Sequence, residues 1–217
     1  MCARGTAQTT AEVSGHVQLP KSDAGHKPAA VVWLKAVDRA VDVPPIHPGR
    51  FTLVQKNRMF SPHMLVVPVG SLVNFPNADP FFHNVFSLFN GRRFDLGLYE
   101  AGTSKDVAFS REGASYIFCN IHPEMSAVVL ALSTSLYAVA DSSQNFSIRE
   151  VTPGEYELHV WIEGTPQPAL DGLTRHIRIR TGVSNRADID ASNSPPLSSQ
   201  HLNKFGMPYD RDSAPAY

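Results

Sequence analysis

Apolar residues recur at every second position in stretch after stretch of this chain: VSGHVQL, AVVWLKAV, FTLVQKN, LVVPVGSLVNF, SKDVAFS, SYIFCNI, AVVLALS, NFSIREV, YELHVWIEG and RHIRIR. A period of two puts alternate side chains on opposite faces of an extended strand, and the Pro, Gly, Asn and Asp residues between the stretches supply turns. Helical spacing is sustained nowhere for ten residues, and only the segment from Phe86 to Tyr99 leaves room for a helical turn. The chain is therefore predicted to be all-β, with many short strands arranged as Greek-key sandwiches. With 217 residues and 42% hydrophobic content it can bury one or two cores.

Charge narrows the function classes. The formal net charge is -1 and no block of like charge occurs, so the basic field that nucleic-acid binding needs is missing. No apolar run approaches the roughly eighteen residues of a membrane span, and the opening stretch MCARGTAQTTAEVSGHV has no apolar run of the kind a signal peptide carries. There are two cysteines, Cys2 in a polar stretch and Cys119 in an apolar one, so a disulfide framework is not expected to stabilise the fold.

Cys119 needs its own explanation. A lone buried cysteine serves readily as a small hydrophobe. Its neighbours point elsewhere: YIFCNIHPEM places Cys119, His122 and Met125 three residues apart. A thiolate, an imidazole and a weak thioether suit copper cycling between Cu(I) and Cu(II). A second imidazole must then come from a distant part of the chain. The best candidate is His83 in NFPNADPFFHNVFS, expected in a loop after a strand ending at Phe75. His83, Cys119, His122 and Met125 together make the two-His, one-Cys, one-Met set of a blue copper centre. Other histidines carry weaker readings. His159 and His176 are expected on solvated or shallow strand faces, and His63, beside Met59 and Met64, suits turn and core duties better than a second copper contact.

Residues of about 50 to 134 resemble a cupredoxin, on the strength of VPVGSLVNFPN before the first histidine, HNVFS at it and CNIHPEM closing the site. The short Cys-x2-His-x2-Met spacing, with Pro123 directly after the second histidine, resembles the ligand loop of amicyanin more than the longer loop of plastocyanin. The stretch FDLGLYEAGTS resembles bacterial methylamine-utilisation or plastocyanin-like proteins. The resemblance implies that Asn84 ties the ligand loops together and lends hydrogen bonds near the thiolate, although a turn asparagine reads the same way. Pro123 denies the loop one backbone donor, and Phe81, Phe82, Phe86 and Phe118 are expected to shield the metal. Glu124 is a candidate oxygen donor that, with the length of the Met125 bond, would set the colour of the site.

The flanks carry a second resemblance. Joined end to end, VSGHVQLPKSDAGHKPAAVVWLKAV and LYAVADSSQNFSIREVTPGEYELHVWIEG, followed by RHIRIRTGVSNRADIDA, look like a transthyretin-like or carboxypeptidase-regulatory-like β-sandwich. The expected organisation is a discontinuous small sandwich over residues 11–45 and 135–191, a cupredoxin domain over 46–134 inserted into it, and a C-terminal tail over 192–217. The alternative is two consecutive domains, with residues 11 to 40 adding strands to the cupredoxin.

Three functions compete: a one-electron carrier, a copper storage or delivery protein, and an enzyme. Enzymes resembling cupredoxins need further copper sites, usually marked by H-x-H and H-C-H patterns, and neither pattern is present. No H-E-x-x-H, G-x-S-x-G or phosphate-cradling glycine loop occurs either. The expectation is a carrier that is not an enzyme, exchanging electrons through the His122 edge with a transient redox protein partner. Pro80, Phe81, Phe82 and Pro123 are its candidate docking patch. The resemblance implies a periplasmic or secreted location. Sequence alone does not indicate the oligomeric state.

Overall fold

The computed structural model describes residues 10–19, 28–88, 91–194, 203–205 and 207–208. Cys2 lies outside them. The first two strands are β1 (Ala11–Gln18) and β2 (Ala30–Ala36). Ten more follow: β3 (Arg50–Thr52), β4 (Val54–Lys56), β5 (Met59–Ser61), β6 (Met64–Pro68), β7 (Ser71–Pro76), β8 (His83–Ser87), β9 (Phe94–Tyr99), β10 (Ser104–Phe109), β11 (Gly113–Phe118) and β12 (Ser126–Leu132). The last six are β13 (Tyr137–Val139), β14 (Asn145–Val151), β15 (Gly154–Ile162), β16 (Arg175–Ile179), β17 (Asn185–Arg186) and β18 (Ile189–Asp190), with one short helix, α1 (Gln167–Asp171), between β15 and β16. Among the described residues the chain is all-β apart from that single turn and a half of helix.

Among the described residues, those up to 45 and those from 134 to 194 form one compact unit, and 46 to 133 with 203 to 208 form another. The stretch expected to be a separate tail is thus divided between the two. The first unit has two four-stranded sheets, β14-β1-β17 with β18 also on β1, and β13-β2-β15-β16. Val13, Val17, Val32, Leu34, Tyr156 and Leu158 are fully buried in it, as the period-two pattern of β1, β2 and β15 requires. Gly15 is needed for close approach: a Cβ there would stand 2.6 Å from the Ala187 carbonyl oxygen and 2.8 Å from the Phe146 ring.

The second unit pairs a three-stranded sheet, β10-β7-β3, with a five-stranded one, β6-β12-β11-β8-β9, and adds the hairpin β4-β5. Val73 and Phe75 from β7, Val107 and Phe109 from β10, and Ile117, Ala127 and Val129 from β11 and β12 fill its core. Cys119 and Met125 belong to the same buried cluster. The segment from Phe86 to Tyr99 contains no helical turn among its described residues, because it forms the end of β8 and the whole of β9. Glycine explains why the strand pattern was hard to read there. β9 pairs with β8 across a register shift in which Leu96 and Gly97 oppose Val85, and Gly97 takes φ +67°, so the alternation is interrupted by a bulge.

Candidate metal centre

The turn between β4 and β5 begins the site. Asn57 and Arg58 both have positive φ, 55° and 54°, the conformation of a two-residue hairpin turn that lets the strands keep their twist. Their backbone N–H groups donate to Asp79, Asn57 to Oδ1 at 2.6 Å and Arg58 to Oδ2 at 3.0 Å. Asp79 is held from behind by Asn77, whose Oδ1 accepts the Asp79 N–H at 3.0 Å and whose Nδ2 donates to the Phe81 carbonyl at 2.8 Å. The buried Asp79 carboxylate then meets Nε2 of His83 at 2.9 Å. Burial alone would raise the Asp79 pKa most strongly. The Arg58 amide, the His83 ring and the Asn57 amide together outweigh it and hold the carboxyl below its usual range.

That bond fixes the tautomer of His83. A carboxylate accepting from Nε2 leaves the proton on that nitrogen and the Nδ1 lone pair free. His83 is the first residue of β8, not a loop residue as expected, and it is fully buried. Its Nδ1 lies 3.7 Å from Sγ of Cys119, and Nδ1 of His122 lies 3.6 Å from the same sulfur. The three donor atoms are all within 4.8 Å of one another. The two imidazoles stand edge to face with centroids 5.0 Å apart, and Phe81 packs against both rings at 5.2 and 5.6 Å.

The spacing of CNIHPEM has a direct structural reason. Cys119 immediately follows β11 and Met125 immediately precedes β12, so the loop between them must close tightly. It does so through Met125 N–H to the His122 carbonyl at 3.1 Å and Cys119 N–H to the Met125 carbonyl at 3.3 Å. Met125 is fully buried, whereas Pro123 and Glu124 are exposed at the loop tip. His122 is half-buried and offers an edge to solvent.

Burial pushes the Cys119 thiol pKa up, against backbone N–H groups of Asn84, Ile121 and His122 that point at the sulfur and favour the thiolate. Asn84 therefore does lend a hydrogen bond near the sulfur, from its backbone. Its side chain goes elsewhere: Nδ2 donates to Asp95 Oδ1 at 2.7 Å. Phe86 and Phe118 pack on one another with tilted rings, centroids 5.8 Å apart, and the ring against the imidazole pair is that of Phe81. His63 bonds the Ser126 carbonyl through Nδ1 at 3.1 Å. His159 stacks on Trp33 and bonds Glu157, and His176 is largely exposed beside the same carboxylate.

Metal binding fits this donor set. Three donors about 2.0–2.3 Å from a common centre in a trigonal array have sulfur-to-nitrogen edges of about 3.6–3.7 Å, the edges found here. Two soft-to-borderline imidazoles and one thiolate select copper or zinc over hard cations.

No protein-family model matches the chain, and no curated protein matches it. Solved structures are similar. A purple cupredoxin from Nitrosopumilus maritimus is 24% identical, with 38% of this chain and 99% of that one covered at a TM-score of 0.35. A reduced variant of amicyanin is 16% identical over 46% of this chain and 98% of its own, at a TM-score of 0.37. A copper-containing nitrite reductase from Thermus scotoductus SA-01 is 22% identical over 45% of this chain, which covers 25% of that protein, at a TM-score of 0.37.

Sequence reasoning found the ligand candidates but not Asp79, Arg58 or Asp95. An Asp four residues before His83, inside the turn-rich NFPNADPFFH, was the available signal for the first of them. The metal-free site also has a measurable protonation property. Burial, with the neighbouring His83 and Arg58, pushes the His122 pKa down, against Glu124 and Asp79. An NMR titration of the metal-free protein is expected to place His122 below the ordinary value of about 6.5. Because the unfolded chain then binds that proton first, stability contributed by the neutral ring is lost as pH falls from about 6.5. A His122 titrating above 6.5 would contradict this.

Proposed function

We propose that the chain binds one copper ion at a type 1 site and works as a one-electron carrier. The observation that carries this reading is the convergence of His83 Nδ1, Cys119 Sγ and His122 Nδ1 on one partly buried point. Met125, buried in the same core cluster, would offer a thioether sulfur as a further, weak ligand. A copper ion held there would supply a one-electron couple between Cu(I) and Cu(II). The protein's own part is positional. Asp79 locks the His83 ring, three backbone amides hold the sulfur, and Phe81 keeps water from the imidazole pair. Ligands fixed this way by the fold move little when the charge on the metal changes, which is the condition for fast electron exchange.

The His122 edge is the proposed exit, and the partner is a redox protein that docks briefly around it. Phe82, 53% exposed, and the exposed Pro123 are suited to such a small, transient contact. We place the chain in the periplasm or outside the cell, in line with its resemblance to cupredoxins.

Voltammetry of the copper-loaded protein tests the carrier role. A reversible one-electron wave, with copper retained against a chelator through repeated cycles, is the expected result. Copper released to the chelator on reduction would favour storage or delivery instead.

A further inference from the structure

The two segments that bring the ligands together are joined by few backbone links: the ladder between β8 and β11 pairs Phe86 with Phe118 and no other described residues. A chain of side-chain bonds runs alongside it. Asn84, next to His83, donates through Nδ2 to Asp95 Oδ1 at 2.7 Å. Asp95 Oδ2 accepts from Nζ of Lys204 at 2.8 Å. The backbone N–H of Lys204 donates to Oδ1 of Asn120, next to Cys119, at 3.0 Å. Lys204 lies 84 residues beyond Asn120 in the chain, so nothing local brings it there.

Its presentation is built. Asn203 Oδ1 accepts from the amides of Phe205 and Met207 at 2.9 and 3.1 Å, and the Asn203 amide donates to the Met207 carbonyl at 2.8 Å, which closes a small turn around Lys204. Asn84 Oδ1 is buried without a hydrogen-bond partner among the described residues, so the bond to Asp95 anchors that amide group. A partly exposed ion pair contributes little stability by itself. Its consequence here is geometric, since one residue grips the neighbours of both ligand segments.

We propose that Lys204 is a positioning residue for the metal centre, a clasp from the C-terminal segment that fixes the His83 strand against the Cys119–His122 loop. This rests on the copper reading for its functional meaning, and on the hydrogen bonds alone for its mechanical one. Without Lys204, Asp95 Oδ2 loses its cation and the carboxylate is held only through Oδ1, by the Gly97 N–H at 2.9 Å and the Asn84 amide, so the Asn84 anchor weakens and the amides of Asn84, Ile121 and His122 that point at the sulfur loosen together.

Amide hydrogen exchange on the metal-free protein tests the mechanical part, using the full chain, Lys204→Ala, Lys204→Arg and a chain ended after residue 202. Exchange at Asn84 and His122 is expected to quicken about fivefold to tenfold in Lys204→Ala and at least as much in the shortened chain, the loss of one ion pair and one or two hydrogen bonds. Lys204→Arg, which keeps the cation for Asp95, should restore most of the protection. Amides of the distant β7–β10 ladder, such as Val73 and Val107, should not change. Unchanged rates at Asn84 and His122, or equal acceleration everywhere, would overturn the clasp. In copper-loaded samples the same variants should release Cu(II) faster by a similar factor. A full chain that takes up no copper would defeat the metal reading while the exchange comparison still decides the clasp.

Discussion

Replacing Cys119 by serine is expected to abolish the intense sulfur-to-copper absorption of the copper-loaded protein while leaving its fold in place. The absorption arises from covalency between copper and thiolate sulfur, and a serine hydroxyl is neither soft nor acidic enough to replace it. The fold survives for a local reason. A buried hydroxyl with no partner costs about 1–3 kcal/mol, but the amides of Asn84, Ile121 and His122 already point at this position and give the oxygen its hydrogen bonds. The denaturation midpoint of the metal-free variant should therefore stay close to that of the parent. Absorption persisting in Cys119→Ser would mean that copper sits elsewhere.

Asp79→Ala should be the most damaging single change near the site that spares every ligand. It strands the fully buried His83 Nε2–H, which costs about 1–3 kcal/mol, and removes the acceptor of the Asn57 and Arg58 amides, which sit in an exposed turn where water can replace it. Urea denaturation of the metal-free protein should show a loss of about 1–3 kcal/mol. With the ring no longer locked, copper affinity should fall by about 10–100-fold. Loss of a negative charge near the metal also disfavours Cu(II) relative to Cu(I), so the reduction potential should rise. The pH signature has a definite sign. The Asp79 pKa is depressed in the folded state, so its contribution is present above the unfolded value of about 3.9 and is lost as pH falls through the folded one. The parent should lose stability in that acidic window more steeply than the variant. A variant with parental stability and potential would show that Asp79 does not orient His83.

Much of this protein could be read from its sequence because a strand with one buried face carries its period openly. SKDVAFS alternates cleanly and is β10; NFSIREV alternates as far as Ile148, then slips by one residue at the positive-φ Glu150, and is β14. AVVLALS was legible for another reason: β12 is buried along almost its whole length, so it reads as an unbroken apolar run. The pattern failed at β9, where the Leu96–Gly97 bulge interrupts alternation, and at β5, three residues long beside a two-residue turn. His83, Cys119 and His122 were legible because few residue types bind soft metals and the loop spacing confines them. Their support was not. Asp79 reaches His83 only because two positive-φ residues, Asn57 and Arg58, aim their amides at it, and nothing in the letters announces that turn. Asn84 was expected to tie the loops directly, yet its side chain bonds Asp95, and the tie continues through Lys204, far away in sequence. Contacts of that separation leave no local pattern.

X-ray absorption at the copper edge tests the central claim most directly. Protein loaded with one equivalent of Cu(II) should show a single short sulfur scatterer and two imidazole rings, and Cys119→Ser should lose the sulfur alone. A shell of nitrogen and oxygen only in the parent protein would contradict the assignment of His83, Cys119 and His122 as the metal centre.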